Sequence, residues 1–215
     1  MAKRFCWTAF DVSDLLPLEW ATDIKRVAPE AHFDDFPRTP VLSREADDVR
    51  TIKRGRVRAE AVQENLPWLY ELYCGAFLEL AEQAWKEPIK TAKDHRYGVV
   101  LNVQQGSTMR FECHVDSNPV TGLLFFTDHP DGGGELVVGN DPKAVGIQVL
   151  EENRSVIRPQ AGQLVFFDGK TYPHYARTLH SAGDERVVAV MNFYTQTCPE
   201  STRPEGLNRH LFGQD

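Results

Sequence analysis

Two hydrophobic periodicities divide the chain. Over SDLLPLEWATDIKRV (13–27), and again over 43–85, apolar residues recur every three or four positions among strong helix formers, which predicts helices. Ser43, followed by acidic residues, fits an N-cap, Pro67 indicates a break where a new helix starts, and Pro88 marks the end of the helical region. We therefore expect the N-terminal part, about 1–92, to be mainly helical.

Beyond Lys93 the pattern changes to short β-rich runs separated by turn residues. Eight such runs occur with no helical segment between them, which favours an antiparallel sandwich or barrel. They are YGVVLNVQ, FECHVD, GLLFFTD, GELVVG, RSVIRPQ, GQLVFFDG, YPHYARTL and ERVVAVMNFYT. The sequence thus predicts one domain, 1–215, of the α+β class but mainly β, in which N-terminal helices buttress a jelly-roll core at about 93–197. The tail at 198–215 is expected to be either an irregular segment that wraps the core or partly disordered.

Composition and charge narrow the possible partners and location. A net charge of −7 argues against nucleic acid or an anionic membrane as the main partner. The absence of a long apolar run and of a signal-peptide pattern predicts a cytoplasmic location. The four cysteines are far apart, so reduced thiols are expected. A local basic patch, KRGRVR at 53–58, is interpreted as a solvent-facing helix surface because no aromatic residues interleave it.

The run FECHVD places a histidine and an aspartate two positions apart at its end. On a strand, side chains two positions apart lie on one face. That face would carry Arg110, Glu112, His114 and Asp116. Several inward polar groups are unusual in a sandwich, yet His114-x-Asp116 alone is a weak indication of a metal site.

A second histidine and an arginine strengthen that indication. His174 follows an apolar strand and a short turn, and jelly-roll pairing can bring it beside His114. Two imidazoles and a carboxylate can occupy one face of an octahedral metal, as expected for a non-haem Fe(II) oxygenase. Arg186, twelve residues after His174, begins an apolar strand. An inward arginine is unfavourable unless it meets an anion such as a carboxylate.

The combined pattern resembles the Fe(II)- and 2-oxoglutarate-dependent dioxygenases, whose core is a double-stranded β-helix. The matching segments, within roughly 97–195, are His114-x-Asp116, GGEL at 133–136, PxxGxLxFF at 159–167, His174 and Gly183-x-x-Arg186. The resemblance implies that the catalytic iron ligands are His114, Asp116 and His174. It also implies that Arg186 binds the C5 carboxylate of 2-oxoglutarate. Asn102 and Gln104 are similar to positions that often hydrogen-bond this co-substrate.

The same resemblance implies the chemistry. The cofactors would be Fe(II), 2-oxoglutarate as co-substrate and dioxygen. Because Asp116 fills the position that radical halogenases leave open for halide, we expect hydroxylation of an unactivated C–H bond; another oxidation such as desaturation stays open. Many relatives carry Ser or Thr two residues after the arginine, whereas this chain has Val188, so the group that completes the carboxylate clamp is open as well.

Of the features of the function, the substrate is the one that the sequence determines least. If Arg110 and Glu112 face the pocket, they could bind a carboxylate and an ammonium group, which predicts a free amino acid or similar small polar metabolite. A simple ion pair between the two is an equal alternative. A peptide or protein substrate, as in the prolyl-hydroxylase branch that the pattern also resembles, and a non-catalytic metal-binding jelly roll remain alternatives. The sequence leaves the oligomeric state open.

Overall fold

The computed structural model of the chain describes residues 7–85 and 87–213. The strands within them are β1 (Trp7–Asp11), β2 (His32–Pro37), β3 (Thr51–Val57), β4 (Ile89–Thr91), β5 (Val99–Gln105), β6 (Val120–Phe125), β7 (Leu136–Gly139), β8 (Arg154–Ile157), β9 (Gln163–Phe167), β10 (His174–Ala176) and β11 (Glu185–Thr195). The α-helices are α1 (Trp20–Val27), α2 (Ala59–Asn65), α3 (Pro67–Cys74), α4 (Ala76–Ala84), α5 (Ile147–Glu152) and α6 (Leu207–Phe212). Of the helices in these ranges, none has the length and apolar character needed to cross a membrane.

The strands form two antiparallel sheets. The larger has the order β1-β9-β6-β11-β5-β3-β2, with β4 paired to the end of β11, and the smaller has the order β10-β7-β8. Strands that are distant in sequence therefore lie side by side, as in a jelly roll. The mainly β, double-stranded β-helix fold with packed helices that the sequence predicts is confirmed.

The long strand β11 separates two cores. Its Val187 and Ala189 belong to the core that α1 to α4 cover on the outer face of the larger sheet. Val188 and Val190 pack in the core between the two sheets. Because side chains alternate along a strand, Arg186 lies on this second, inner face, which agrees with the face predicted from its spacing.

The helix predicted from residue 43 is wrong over its first half. Residues 51–57 form β3, which pairs with both β2 and β5, and the helix α2 begins only at Ala59. Ser43 is not an N-cap, because it forms a β-bridge with His114. Pairing with two strands outweighs the helix propensity of the Lys and Arg residues in this segment. The basic patch KRGRVR consequently lies on a strand and not on a helix.

Other segments also differ from the prediction. The run FECHVD is not a strand, since only His114 within it forms a β-bridge. The N-terminal part contains β1 to β4. A short 3-10 helix forms at Ser13–Leu15, where a helix was predicted to begin, but the first α-helix begins only at Trp20. Helix α5 lies between strands where no helix was predicted, and the tail contains α6. These elements depend on contacts that are distant in sequence, which local periodicity does not record.

Candidate metal centre

His114 and His174 lie side by side on paired backbone segments. The N–H of His114 donates to the carbonyl of His174 at 3.0 Å, and the N–H of His174 donates back to the carbonyl of His114 at 2.9 Å. Their ring centroids are 4.6 Å apart. His174 begins β10, which is fixed in the smaller sheet by β7, so this bridge holds His114 against a rigid element.

Each imidazole is oriented by a backbone carbonyl. Nδ1 of His114 lies 2.8 Å from the carbonyl oxygen of Glu112, and Nδ1 of His174 lies 2.9 Å from that of Tyr172. A neutral ring that donates from Nδ1 presents its lone pair at Nε2. Both Nε2 atoms point toward the same carboxylate, so the two rings offer matched nitrogen ligands.

Asp116 supplies that carboxylate. Its Oδ1 is 3.2 Å from Nε2 of His114, and its Oδ2 is 3.6 Å from Nε2 of His174. The hydroxyl of Thr121 donates to Oδ2 and fixes the carboxylate orientation. One donor atom from each of the three residues lies within 4.8 Å of the others. Two imidazole nitrogens and one carboxylate oxygen gathered on one side fit the facial donor set of non-haem Fe(II), with the opposite side free.

Burial and mutual charge set the protonation of this group. Burial raises the pKa of Asp116, but the charges of His174 and His114 and the hydrogen bonds from His114 and Thr121 outweigh it and hold the pKa below its usual range. Burial lowers the pKa of His174 to about 4, so this ring is neutral near pH 7. Burial also opposes the charged form of His114, but its hydrogen bond to Asp116 and the charge of that residue raise its pKa to about 9. Metal binding would therefore displace a proton from His114.

Gly169 makes room for the carboxylate. The backbone N–H of Asp116 donates to the carbonyl of Gly169 at 2.8 Å. A Cβ at Gly169 would overlap both the Asp116 carboxylate and the Thr121 hydroxyl. The sequence reasoning missed Gly169 and Thr121; the Asp-Gly turn after β9 marks the glycine, but no local pattern indicates what it approaches.

Arg186 lies in the same cavity as the three metal-ligand candidates. It is only 2% exposed, and its Nε is buried without a hydrogen-bond partner. Its guanidinium lies over the ring of Phe125, 5.4 Å from the centroid, and forms no ion pair with the residues that the structure describes. Burial lowers the pKa of Arg186 to about 10, so the group stays cationic at neutral pH. A buried, unpaired guanidinium beside a metal site fits the carboxylate of 2-oxoglutarate.

The cavity holding Arg186 has a volume of about 70 Å³, and Asn102 lines it whereas Gln104 does not. The amide nitrogen of Gln104 donates to the carbonyls of Met109 and Arg177, both at 2.7 Å, so it braces the surrounding backbone. Val188 is buried between the sheets and offers no hydrogen-bonding side chain. The co-substrate role of Gln104 stays a prediction, and Asn102 is the better placed of the two.

A second pocket of about 180 Å³ adjoins this cavity and shares His114, Asp116 and Asn102 with it. Glu112 lines the pocket, and both its carboxylate oxygens accept hydrogen bonds from Thr39, at 2.9 Å from the N–H and 3.1 Å from the hydroxyl.

Arg110 does not line this pocket. Its guanidinium makes two contacts with the Glu45 carboxylate, at 2.6 and 2.9 Å. The alternative ion pair between Arg110 and Glu112 is not formed. The predicted substrate-binding pair is therefore not brought together, and each member already has a protein partner.

The walls of the second pocket come from segments that sequence reasoning did not connect with the site. The stretch before β3 contributes Thr39 and Leu42, and the tail helix α6 contributes Leu207 and Leu211. The basic strand β3 contributes arginines. In β3 the charged residues Lys53 and Arg54 are adjacent, so no alternation of charged and apolar residues marks this segment as a strand, and helix-forming residues dominate its local pattern.

Residues 96–194 match the family model described as the 2OG-Fe(II) oxygenase superfamily. Over this stretch, a little under half of the chain, the protein is similar to that superfamily. The match identifies an oxidoreductase, and the superfamily requires Fe(II), 2-oxoglutarate and dioxygen. No curated protein matches the chain.

Solved structures show the same fold. The chain is similar to a 2OG-Fe(II) oxygenase family oxidoreductase from Burkholderia pseudomallei, with 13% identity, a TM-score of 0.61, and coverage of 92% of this chain and 89% of that one. It is similar to the α-ketoglutarate-dependent epimerase SnoN from nogalamycin biosynthesis, with 14% identity, a TM-score of 0.64, and coverage of 95% and 84%. It is also similar to a prolyl hydroxylase from Trichoplax adhaerens in complex with a hypoxia-inducible-factor peptide. The identity is 12%, the TM-score is 0.57, and the match covers 89% of this chain and 84% of that one. Identities this low establish the fold and leave the substrate open.

Proposed function

We propose that this oxygenase hydroxylates an unactivated C–H bond of a small polar molecule, with a free amino acid or a derivative as the first class to test. In this proposal the iron ligands are His114, Asp116 and His174, and Arg186 binds the distal carboxylate of 2-oxoglutarate. One observation carries the proposal: the three ligand candidates and the unpaired Arg186 line one buried cavity, which opens on a second pocket large enough for a small substrate.

The residues of the chain have separable tasks. Bound Fe(II), with 2-oxoglutarate and dioxygen, supplies the oxidising power for C–H cleavage. The paired backbones of His114 and His174 hold the two nitrogen ligands in register before anything binds. Asp116 fills the third protein position, which leaves no vacancy there for a halide and favours hydroxylation over halogenation.

Co-substrate binding is assigned to the inner end of the cavity. The cationic Arg186 would neutralise a carboxylate in a low-dielectric environment, where a charge-assisted hydrogen bond is strong. Asn102, which lines both this cavity and the second pocket, can hydrogen-bond the co-substrate. The apolar Leu123, Phe167 and Val190 in the walls limit access of water to the reacting atoms.

The shape of the second pocket supports a small molecule over a peptide. Its walls include Thr39, Leu42 and helix α6, and its volume is about 180 Å³. Such a pocket suits a compact ligand better than an extended chain. The peptide alternative remains, because the fold is shared with a prolyl hydroxylase that was solved with a peptide.

Mass spectrometry separates these alternatives. The wild-type protein, supplied with Fe(II), 2-oxoglutarate and air, would be incubated with a panel of free amino acids and small organic acids, and separately with proline-containing peptides. The proposal predicts that at least one small molecule gains one oxygen atom. The background comes from His174→Ala, and the exposed His180→Ala serves as the matched control with full activity. Oxygen gain by a peptide alone would overturn the small-molecule assignment.

A further inference from the structure

The basic segment that begins with Lys53 lies along the sheet that carries the active site. In β3, Arg56 pairs with Asn102 of β5, and Asn102 lines the cavity that holds the metal-ligand candidates. Side chains of cross-strand partners project to the same face of a sheet. Arg56 therefore belongs to the face that looks toward the site, and it lines the second pocket together with His114 and Asp116.

Two arginines near Arg56 already have carboxylate partners. Arg54 makes a two-point contact with Asp34, at 3.2 and 2.9 Å. Arg96 makes a two-point contact with Asp94, at 3.0 and 2.8 Å. These pairs neutralise both guanidinium groups and hold them in place.

Arg56 has no such partner. Its side chain makes no hydrogen bond or ion pair with any residue that the structure describes, and its Nε is buried and unsatisfied. The ring of Phe212 lies 5.8 Å from its Cζ. Burial, followed by the charges of Arg54 and Arg58, lowers the pKa of Arg56 to about 10, so it remains cationic at neutral pH. A partly buried cation of this kind, with a buried and unsatisfied Nε, is unfavourable unless an anion meets it.

The surroundings favour an anion that arrives from outside. Arg56 also lines an outer cavity of about 390 Å³, which shares Arg54, Arg56 and Arg96 with the second pocket. The charged lining of the outer cavity comprises four arginines (54, 56, 58 and 96) against two carboxylates (34 and 60). With Asp94, the partner of Arg96, counted as well, the formal excess is 4 − 3 = +1 with histidine neutral. This excess stands out in a chain with a net charge of −7. Such a basic cleft concentrates small anions.

We propose that Arg56 is a specificity-determining residue that binds an anionic group of the substrate, a carboxylate or a phosphate. The remainder of the substrate would extend from Arg56 toward the three metal-ligand candidates. Apolar Ile52, Phe111 and Leu211 line the same pocket, so the substrate is an acid or phosphate ester with an apolar body. This inference rests on the proposed function, and it moves the substrate-carboxylate contact from Arg110 to Arg56.

Calorimetric titration tests this contact with three small probes: benzoate, phenyl phosphate and the neutral benzamide. The protein, loaded with Fe(II) and 2-oxoglutarate under argon, would be compared with Arg56→Gln, Arg56→Lys and the control Lys53→Gln, whose exposed side chain lies on the same strand. We expect at least one anion to bind the wild type more tightly than benzamide. Arg56→Gln should weaken that binding about ten- to a hundredfold, because a hydrogen-bonded charge is lost. Lys53→Gln should leave it unchanged.

The variant Arg56→Lys keeps the positive charge but lacks the two parallel N–H donors of the guanidinium group. Its affinity for the anion should therefore fall between those of the wild type and Arg56→Gln. The anion that binds more tightly, benzoate or phenyl phosphate, would show whether the site prefers a carboxylate or a phosphate group. Equal affinities of wild type and Arg56→Gln, or a wild type that binds neither anion better than benzamide, would overturn the inference.

Repeating the titrations without metal separates this inference from the proposed function, since Arg56 is not a ligand candidate. Anion binding that depends on Arg56 in a protein that gives no spectroscopic change with Fe(II) and 2-oxoglutarate would contradict the proposed function alone. A normal spectroscopic change with no effect of Arg56→Gln would contradict this inference alone.

Discussion

The carbonyl of Gly169 accepts a hydrogen bond from the backbone N–H of Asp116 at 2.8 Å. Because glycine has no side chain, the Asp116 carboxylate can occupy the position that a Cβ of residue 169 would take. A methyl group in this position must displace the carboxylate or the Thr121 hydroxyl that orients it. Gly169 does not have a positive φ angle, so its backbone conformation does not require glycine. The requirement comes instead from the space that the Asp116 carboxylate needs.

The substitution Gly169→Ala should therefore weaken metal binding. We expect the affinity for Fe(II), or for Co(II) as a probe, to fall at least about tenfold, the scale seen when a group that orients a ligand is lost. Anaerobic titration followed by calorimetry measures it. The control is Gly183→Ala, where an added Cβ meets no atom within 4 Å. Equal metal affinities for the two variants would contradict the geometry described here.

Thr121 should matter through its hydroxyl. Its Oγ donates to Oδ2 of Asp116 and accepts from Asn118 at 3.0 Å. Thr121→Val keeps the shape but removes the donor, so we expect roughly tenfold weaker metal binding. Thr121→Ser retains the hydroxyl and should bind metal nearly as well as the wild type. If the valine and serine variants behave alike in the titration, the hydroxyl does not orient the carboxylate.

Arg186→Leu should separate co-substrate binding from metal binding. Loss of the buried cation should raise the KM for 2-oxoglutarate by about ten- to a hundredfold while the affinity for metal stays unchanged. The free energy of unfolding should hold or rise, because an unpaired buried charge is removed. Succinate release measured against 2-oxoglutarate concentration gives the KM, and urea denaturation gives the free energy of unfolding. The exposed Arg158→Leu is the control, and an unchanged KM in Arg186→Leu would rule out the carboxylate assignment.

Glu45 should anchor the segment that carries His114. Its Oε1 accepts from the backbone N–H of Cys113 at 2.6 Å and also pairs with Arg110, and its side chain is 1% exposed. Glu45→Gln should lower the free energy of unfolding by about 1–3 kcal/mol, since a buried charge-assisted bond is weakened. Asp47→Asn, at a fully exposed side chain, should cause no measurable change. Urea denaturation of both variants measures these changes. Equal free energies of unfolding for the two variants would show that Glu45 does not anchor this segment.

The sequence predicted the core strands better than the N-terminal part. In β11, strict alternation placed Arg186 and Val188 on one face and Val187 on the other, and both faces are buried as that pattern requires. In β3, by contrast, helix-forming Lys and Arg residues dominate the local signal. The pairing of Arg56 with Asn102, which makes the segment a strand, joins positions 46 residues apart (102 − 56 = 46).

The metal-ligand candidates could be predicted, whereas the substrate contacts could not. His114, Asp116 and His174 are brought together as their spacing indicated. The prediction for Arg110 and Glu112 assumed a regular strand through residues 111–116, and only one residue there forms a β-bridge. Their partners, Glu45 and Thr39, come from a segment that no local pattern places near the site.

The most direct measurement is the visible spectrum of the protein with Fe(II) and 2-oxoglutarate under argon, followed by succinate release on admission of air. The wild type and His180→Ala should both show a weak charge-transfer band and then form succinate. His174→Ala should show neither, because one nitrogen ligand is lost from the donor set. A wild-type protein that gives no band and no succinate, or a His174→Ala protein that gives both, would contradict the assignment of this cavity as an Fe(II) and 2-oxoglutarate site.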